Sequence, residues 1–124
     1  MSISLPGNTI DRQTMPSQLV PGALLEAAAR RFRILSEPVR LMILNQLNSF
    51  GEMNVQDIVD ATGQKQANVS KHLSQMFEAG VVGRRRDGQS VYYFVADPTI
   101  SAICLLVCGR LKDQLAEEVA GSAA

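Results

Sequence analysis

The chain has 124 residues, 46% hydrophobic and 19% charged, which supplies one small core and excludes a disordered polyelectrolyte. Twelve Lys and Arg balance twelve Asp and Glu, so the overall basic excess often carried by nucleic-acid-binding domains is absent. Two cysteines exclude a disulfide scaffold, their C-x-x-x-C spacing fits no zinc module, and no stretch approaches the ~20 apolar residues of a membrane span.

Residues 1–20 mix Ser, Thr, Asn, Gln and Pro without a period, which predicts a flexible N-terminal arm. They lack a basic segment followed by an apolar run, so a cytoplasmic protein without a signal peptide is expected. Pro21-Gly22 opens a helix over residues 23–35, apolar nearly all round in its first half and followed by Arg30, Arg31 and Arg33. So small a domain has little interior for such a helix, and a second subunit would cover it. Ser36 is the expected N-cap of the second helix, with Glu37 and Pro38 in its first turn. Val39, Leu41, Met42, Ile43, Leu44 and Leu47 follow, and the helix ends before Phe50-Gly51.

Asn54 caps a short third helix carrying Val55, Ile58 and Val59, which stops at Thr62-Gly63 with the glycine suited to a left-handed C′ position. A fourth helix spans residues 66–79, with Val69, Leu73, Met76 and Phe77 on one apolar face. Strands over residues 81–86 and 90–95 flank Asp87-Gly88, a strong hairpin signal. Asp97-Pro98 then starts a final helix over residues 99–119, followed by a tail over residues 120–124. This order, α-α-α-α-β-β-α, is that of a mainly α winged helix-turn-helix, with residues 21–119 as its DNA-binding and dimerisation domain.

The outward face of the fourth helix carries Lys71, Ala67, Asn68, Gln75 and Ser74, with His72 and Ser70 on its flanks and Gln66 at its start. One positive charge and several short polar side chains suit base edges and phosphates in a major groove, whereas a merely solvated face usually mixes Glu with Lys. In the hairpin, Arg84, Arg85 and Arg86 can reach the phosphate backbone or the minor groove. The period of two places Arg85 opposite Arg84 and Arg86, so at least one is expected to pair with Asp87 or Glu78 instead. His72 is the single histidine, without Asp or Cys near it in sequence, and reads as a polar group rather than a catalytic base or metal ligand. No catalytic constellation, cofactor motif or metal site is found, so an enzyme is not expected.

Leu35-Ser36-Glu37-Pro38-Val39-Arg40-Leu41-Met42-Ile43-Leu44 resembles the opening segment of the ArsR (ArsR/SmtB) family of winged-helix repressors. Gln66-Ala67-Asn68-Val69-Ser70-Lys71-His72-Leu73 resembles the family's Q-x-x-V-S-x-H-L stretch, and residues 79–93 resemble its helix end and wing. The resemblance implies a homodimer built by the first and last helices, binding a palindromic double-stranded DNA operator, repressing transcription and modulated by an inducer. One departure is Lys65, where the family usually has a Ser or Thr cap.

Family members that sense metals through the third helix carry E-L-C-x-C-D-L, and the matching Glu52-Met53-Asn54-Val55-Gln56-Asp57-Ile58 has amides in place of thiolates. The positions matching the family's last-helix zinc site are Asp97, Thr99, Arg110 and Asp113, without either histidine. What remains is Cys104 and Cys108, one turn apart on the last helix. Two readings stand: packing residues, or a candidate sensor for redox change, sulfur species or a thiophilic ion. Two further alternatives are a winged-helix protein-interaction module without sequence-specific DNA binding, and a thiol redox enzyme, which the missing C-x-x-C disfavours.

The neutral total is uneven. Residues 65–92 hold Lys65, Lys71, Arg84, Arg85 and Arg86 against Glu78 and Asp87, while Glu52, Asp57 and Asp60 lie in and before the third helix. Neutrality therefore conceals a basic reading head and does not exclude DNA.

Overall fold

The computed structural model describes residues 19–123, so the expected arm lies outside the described residues except for Leu19 and Val20, both exposed. The chain divides into two compact units, one ending at Arg33 and one beginning at Ile34. The first contains most of helix α1 (Gly22–Leu35), whose opening turn is closed by the Leu25 amide donating to the Pro21 carbonyl at 3.0 Å. Leu24, Leu25 and Phe32 of this helix are all more than half exposed.

The second unit runs from α2 (Pro38–Phe50) through α3 (Val55–Thr62), α4 (Gln66–Glu78), β1 (Val82–Asp87) and β2 (Ser90–Val95) to α5 (Pro98–Ala123). Pro38 occupies the first turn of α2, where its missing N–H costs nothing. The cap is Glu37 rather than the expected Ser36: its Oε1 accepts from the Val39 amide at 3.3 Å. At α3, Asn54 Oδ1 accepts from the Asp57 amide at 2.8 Å while Asp57 accepts from the Asn54 amide at 3.4 Å, a reciprocal capping box. Gly63 ends that helix at φ 72, a left-handed conformation that a Cβ would strain. The α3–α4 turn is thereby fixed from both sides.

Ile43, Leu44 and Leu47 of α2, Ile58 of α3, Val69, Leu73 and Met76 of α4, Val81 and Val82 leading into the hairpin, and Ile100 of α5 are almost fully buried. Each such aliphatic side chain contributes roughly 1.5–3 kcal/mol, so this cluster dominates the position of α4. Phe77 departs from expectation: it is 36% exposed and lies under Arg84 instead of in the core.

The hairpin is antiparallel, in register from Val82 opposite Val95 to Asp87 opposite Ser90, so Gly88 and Gln89 form its two-residue tip. A third segment joins it. Met53 and Tyr93 exchange backbone hydrogen bonds of 3.1 and 2.8 Å, tying β2 to the segment between α2 and α3. Asp97 caps α5 by accepting from the Thr99 amide at 3.0 Å and its hydroxyl at 2.7 Å. That helix continues to Ala123, so most of the expected tail is helical.

Candidate nucleic-acid interface

The buried row Val69, Leu73 and Met76 turns the opposite side of α4 outward. Gln66, Ala67, Lys71, Ser74 and Gln75 are exposed, and Ser70 and Asn68 are half-buried. The helix begins at Lys65, whose side chain makes no capping hydrogen bond, so the amides of the first turn lack a side-chain acceptor from that position. A helix N-terminus with a cation beside it favours an anion such as a phosphate.

His72 is not on a flank of this face. It is 6% exposed, and its Nδ1 accepts from Arg40 Nε of α2 at 3.0 Å. Its spacing puts it beside Lys71, but an arginine 32 residues earlier, on α2, draws the ring inward. Because guanidinium only donates, Nδ1 carries no proton and the ring N–H is on Nε2. Burial, then the nearby Arg40 and Lys71 cations, holds His72 below the ordinary histidine range, with Glu37 acting weakly the other way. This neutral imidazole is part of the scaffold behind the face and is removed from the DNA-contacting set.

Arg40 also donates from Nη2 to Gln75 Oε1 and from Nη1 to the Ile34 carbonyl at 3.4 Å. Asn68 donates from Nδ2 to Gln64 Oε1 of the preceding turn at 3.1 Å. Two amides expected on the reading face are therefore each held at one end by the protein. Neither Arg40 nor Gln64 was singled out from the sequence. For Arg40 the available signal was a charge embedded in the apolar run of α2.

The three wing arginines separate by partner. Arg85 forks onto Glu52, with Nε at 2.8 and 2.9 Å from the two carboxylate oxygens and Nη2 at 2.8 Å from Oε1. Asp87 is more distant, at 3.9 Å, and the guanidinium lies 5.0 Å from the Tyr92 ring centroid. The hydrogen bond from Arg85 holds the Glu52 carboxyl below the usual range. The main partner is thus Glu52, which the Met53–Tyr93 bridge brings beside the wing; Asp87, one of the two acids the hairpin suggested, is a second and weaker ion pair of the same arginine. Arg84 lies 4.0 Å over the Phe77 ring, a cation–π contact that leaves its charge unneutralised. Among the described residues, Arg86 makes no ion pair within 4 Å.

Away from this face, Cys104 and Cys108 are free thiols on α5 and line a groove of about 570 Å³ against α2, with Pro38, Leu41, Met42 and Leu105. Burial, and then Cys108, push the half-buried Cys104 thiol up. Among the described residues no three His, Cys, Asp or Glu side chains gather as a metal-holding group. No described helix is long and apolar enough to cross a membrane.

A three-helix core, a tight α3–α4 turn and an arginine-bearing hairpin define the winged helix-turn-helix class. The sequence model of the bacterial regulatory proteins of the arsR family matches residues 37–83. An uncharacterized HTH-type transcriptional regulator of Methanocaldococcus jannaschii is 37% identical over 82 residues, covering 66% of this chain and 92% of that protein. A probable mercury resistance operon repressor of Streptomyces lividans is 38% identical over 87 residues, covering 70% and 69%. Among solved structures, a homodimeric winged helix-turn-helix DNA-binding domain from Mycobacterium bovis superposes with a TM-score of 0.68 at 33% identity, covering 75% of this chain and 85% of that one. The transcriptional repressor PagR of Bacillus anthracis gives 0.65 at 31% identity, covering 70% and 99%. The chain belongs to the arsR family of DNA-binding transcriptional regulators, which are not enzymes.

Proposed function

We propose that the protein is a cytoplasmic homodimeric repressor that binds a palindromic operator and is released by a thiol-reactive or thiophilic inducer. The observation that carries the DNA assignment is the acid-free stretch of α4 from Gln66 to Phe77, whose outward side sits beside a wing with uncompensated Arg84 and Arg86. Gln66, Ala67, Ser70 and Lys71 meet the major groove, and Asn68 and Gln75 do so with the amide ends left free by Gln64 and Arg40. Arg84 and Arg86 meet the backbone or minor groove. The exposed apolar residues of α1 and α5, including Leu24, Leu25, Leu106 and Leu115, support a dimer that covers them.

Cys104 and Cys108, on the groove between α2 and α5, are the sensor in this reading. The exposed Cys108 reacts first, since burial disfavours the Cys104 thiolate. A mobility-shift titration with DNA from the protein's own promoter region tests both parts, run at several salt concentrations with and without oxidant, polysulfide, arsenite and zinc. Lys71→Ala is expected to weaken binding and flatten its salt dependence, and Cys104→Ser and Cys108→Ser to abolish the inducer response. A salt-insensitive, sequence-indifferent complex favours a protein-interaction module. An inducer response unchanged in both cysteine variants leaves the thiols as packing residues.

A further inference from the structure

We infer that Arg40 is a specificity-determining residue: by holding Gln75 Oε1 it makes Gln75 a one-way donor toward DNA. This rests on α4 being the reading helix. Arg40 lies on α2, outside the helix-turn-helix pair, and spans to two residues of α4 at once through His72 Nδ1 and Gln75 Oε1.

The assignment of atoms follows from chemistry. A guanidinium has five donors and no acceptor, so the Gln75 atom facing it is the oxygen and the NH₂ is at the other corner of the amide. Gln75 is exposed and shares the Lys71 side of the helix, one turn on. A free glutamine reads adenine by pairing its oxygen with N6 and its nitrogen with N7 together. With the oxygen turned to Arg40, that bidentate mode is blocked, and the NH₂ is left to seek an acceptor. In the major groove the acceptors are N7 and O6 of guanine, O4 of thymine and N7 of adenine, whereas cytosine presents only its N4 amino group. The Arg40 charge behind the amide reinforces this polarity. Gln75 therefore excludes cytosine on the strand it contacts and no longer singles out adenine. The neutral His72 steadies the other side of Arg40, so the fork cannot swing away without leaving a buried nitrogen unpaired.

Selection of bound duplexes from a randomised library, followed by sequencing, tests this with the full-length protein. Gln75→Ala should flatten base preference at one position in each half-site and so locate the contact. The wild type should deplete cytosine there by about threefold to tenfold, on one strand. Gln75→Glu keeps the Arg40 contact as an ion pair but presents an oxygen outward, and should invert that depletion into enrichment of the amino bases C and A. Arg40→Met, shown by its melting curve and mass to be folded and assembled like wild type, should lose the cytosine depletion and gain adenine at that position while the other positions keep their preferences. A uniform loss of affinity with an unchanged profile in Arg40→Met would reduce Arg40 to a structural residue and overturn the inference. So would a Gln75→Glu profile identical to wild type, or a Gln75→Ala profile without any flattened position. If Arg40→Met does not fold, the Gln75→Glu inversion decides alone. Failure of the wild type to enrich any sequence overturns instead the reading of α4 as the DNA face.

Discussion

The Arg85 guanidinium forks onto Glu52, a residue 33 positions earlier in the chain, with three nitrogen–oxygen distances of 2.8–2.9 Å. One of the three wing arginines is thus paired within the protein, and in the proposed interface it would fix the hairpin more than it would release counterions from DNA. Arg86→Ala should lower the slope of log affinity against log salt by about one per subunit, and Arg85→Ala by clearly less. Glu52→Gln should raise affinity at low salt, because it frees the Arg85 charge. Fluorescence anisotropy over a salt series measures all three, and equal slopes for Arg85→Ala and Arg86→Ala would refute the distinction.

Lys65 leaves the first turn of α4 without a side-chain cap. Lys65→Ser should therefore stabilise the fold by about 1 kcal/mol in urea unfolding. It should at the same time weaken operator binding, since it removes a cation from the end of the helix that approaches a phosphate. A variant that gains stability and keeps full affinity shows that Lys65 makes no DNA contact.

His72 couples stability to mild acid. Its folded-state value is depressed below 6.5, so above about pH 6.5 the ring is neutral in both folded and unfolded chains and contributes no pH dependence. As pH falls below 6.5 the unfolded chain takes up a proton that the folded one resists, first because the ring is buried and then because protonation at Nδ1 places a second cation against Arg40, with only Glu37 to offset it. Stability should decline from pH 6.5 downward and more gradually in His72→Gln. The Glu52–Arg85 pair acts lower, losing its contribution as pH drops below the usual carboxylate value of 4.5. Urea midpoints measured between pH 2 and 8 separate the two windows.

On α5, Leu106 is 73% and Leu115 62% exposed, which is a poor arrangement for an isolated helix in water. Leu115→Glu should raise the dimer dissociation constant by about tenfold or more without unfolding the core, because Leu115 touches none of it. Sedimentation velocity over a concentration range checks this. An unchanged dimer would move the interface away from the C-terminal half of the helix.

Local signals carried most of the fold into the sequence. The Asn54 cap, Gly63 at a left-handed position and the hairpin all depend on residues within a few positions of one another. Phe77 and His72 broke the helical-wheel expectation for one reason: each is placed by an arginine from another element, Arg84 over the first and Arg40 against the second. Period alone orders side chains around one helix and is blind to a partner 32 residues away. The same limit concealed Glu52 as the Arg85 partner, since the contact exists only once Met53 joins the sheet.

That Met53–Tyr93 bridge also bears on the operator. Two backbone hydrogen bonds fasten the returning strand of the wing to the segment between α2 and α3, and α3 is itself clamped to α4 through the capped turn. Wing tip and reading helix are thus the two jaws of a gauge with a set opening. In the proposed dimer, any tolerance for half-sites at different separations would then come from the contact between subunits, not from within one.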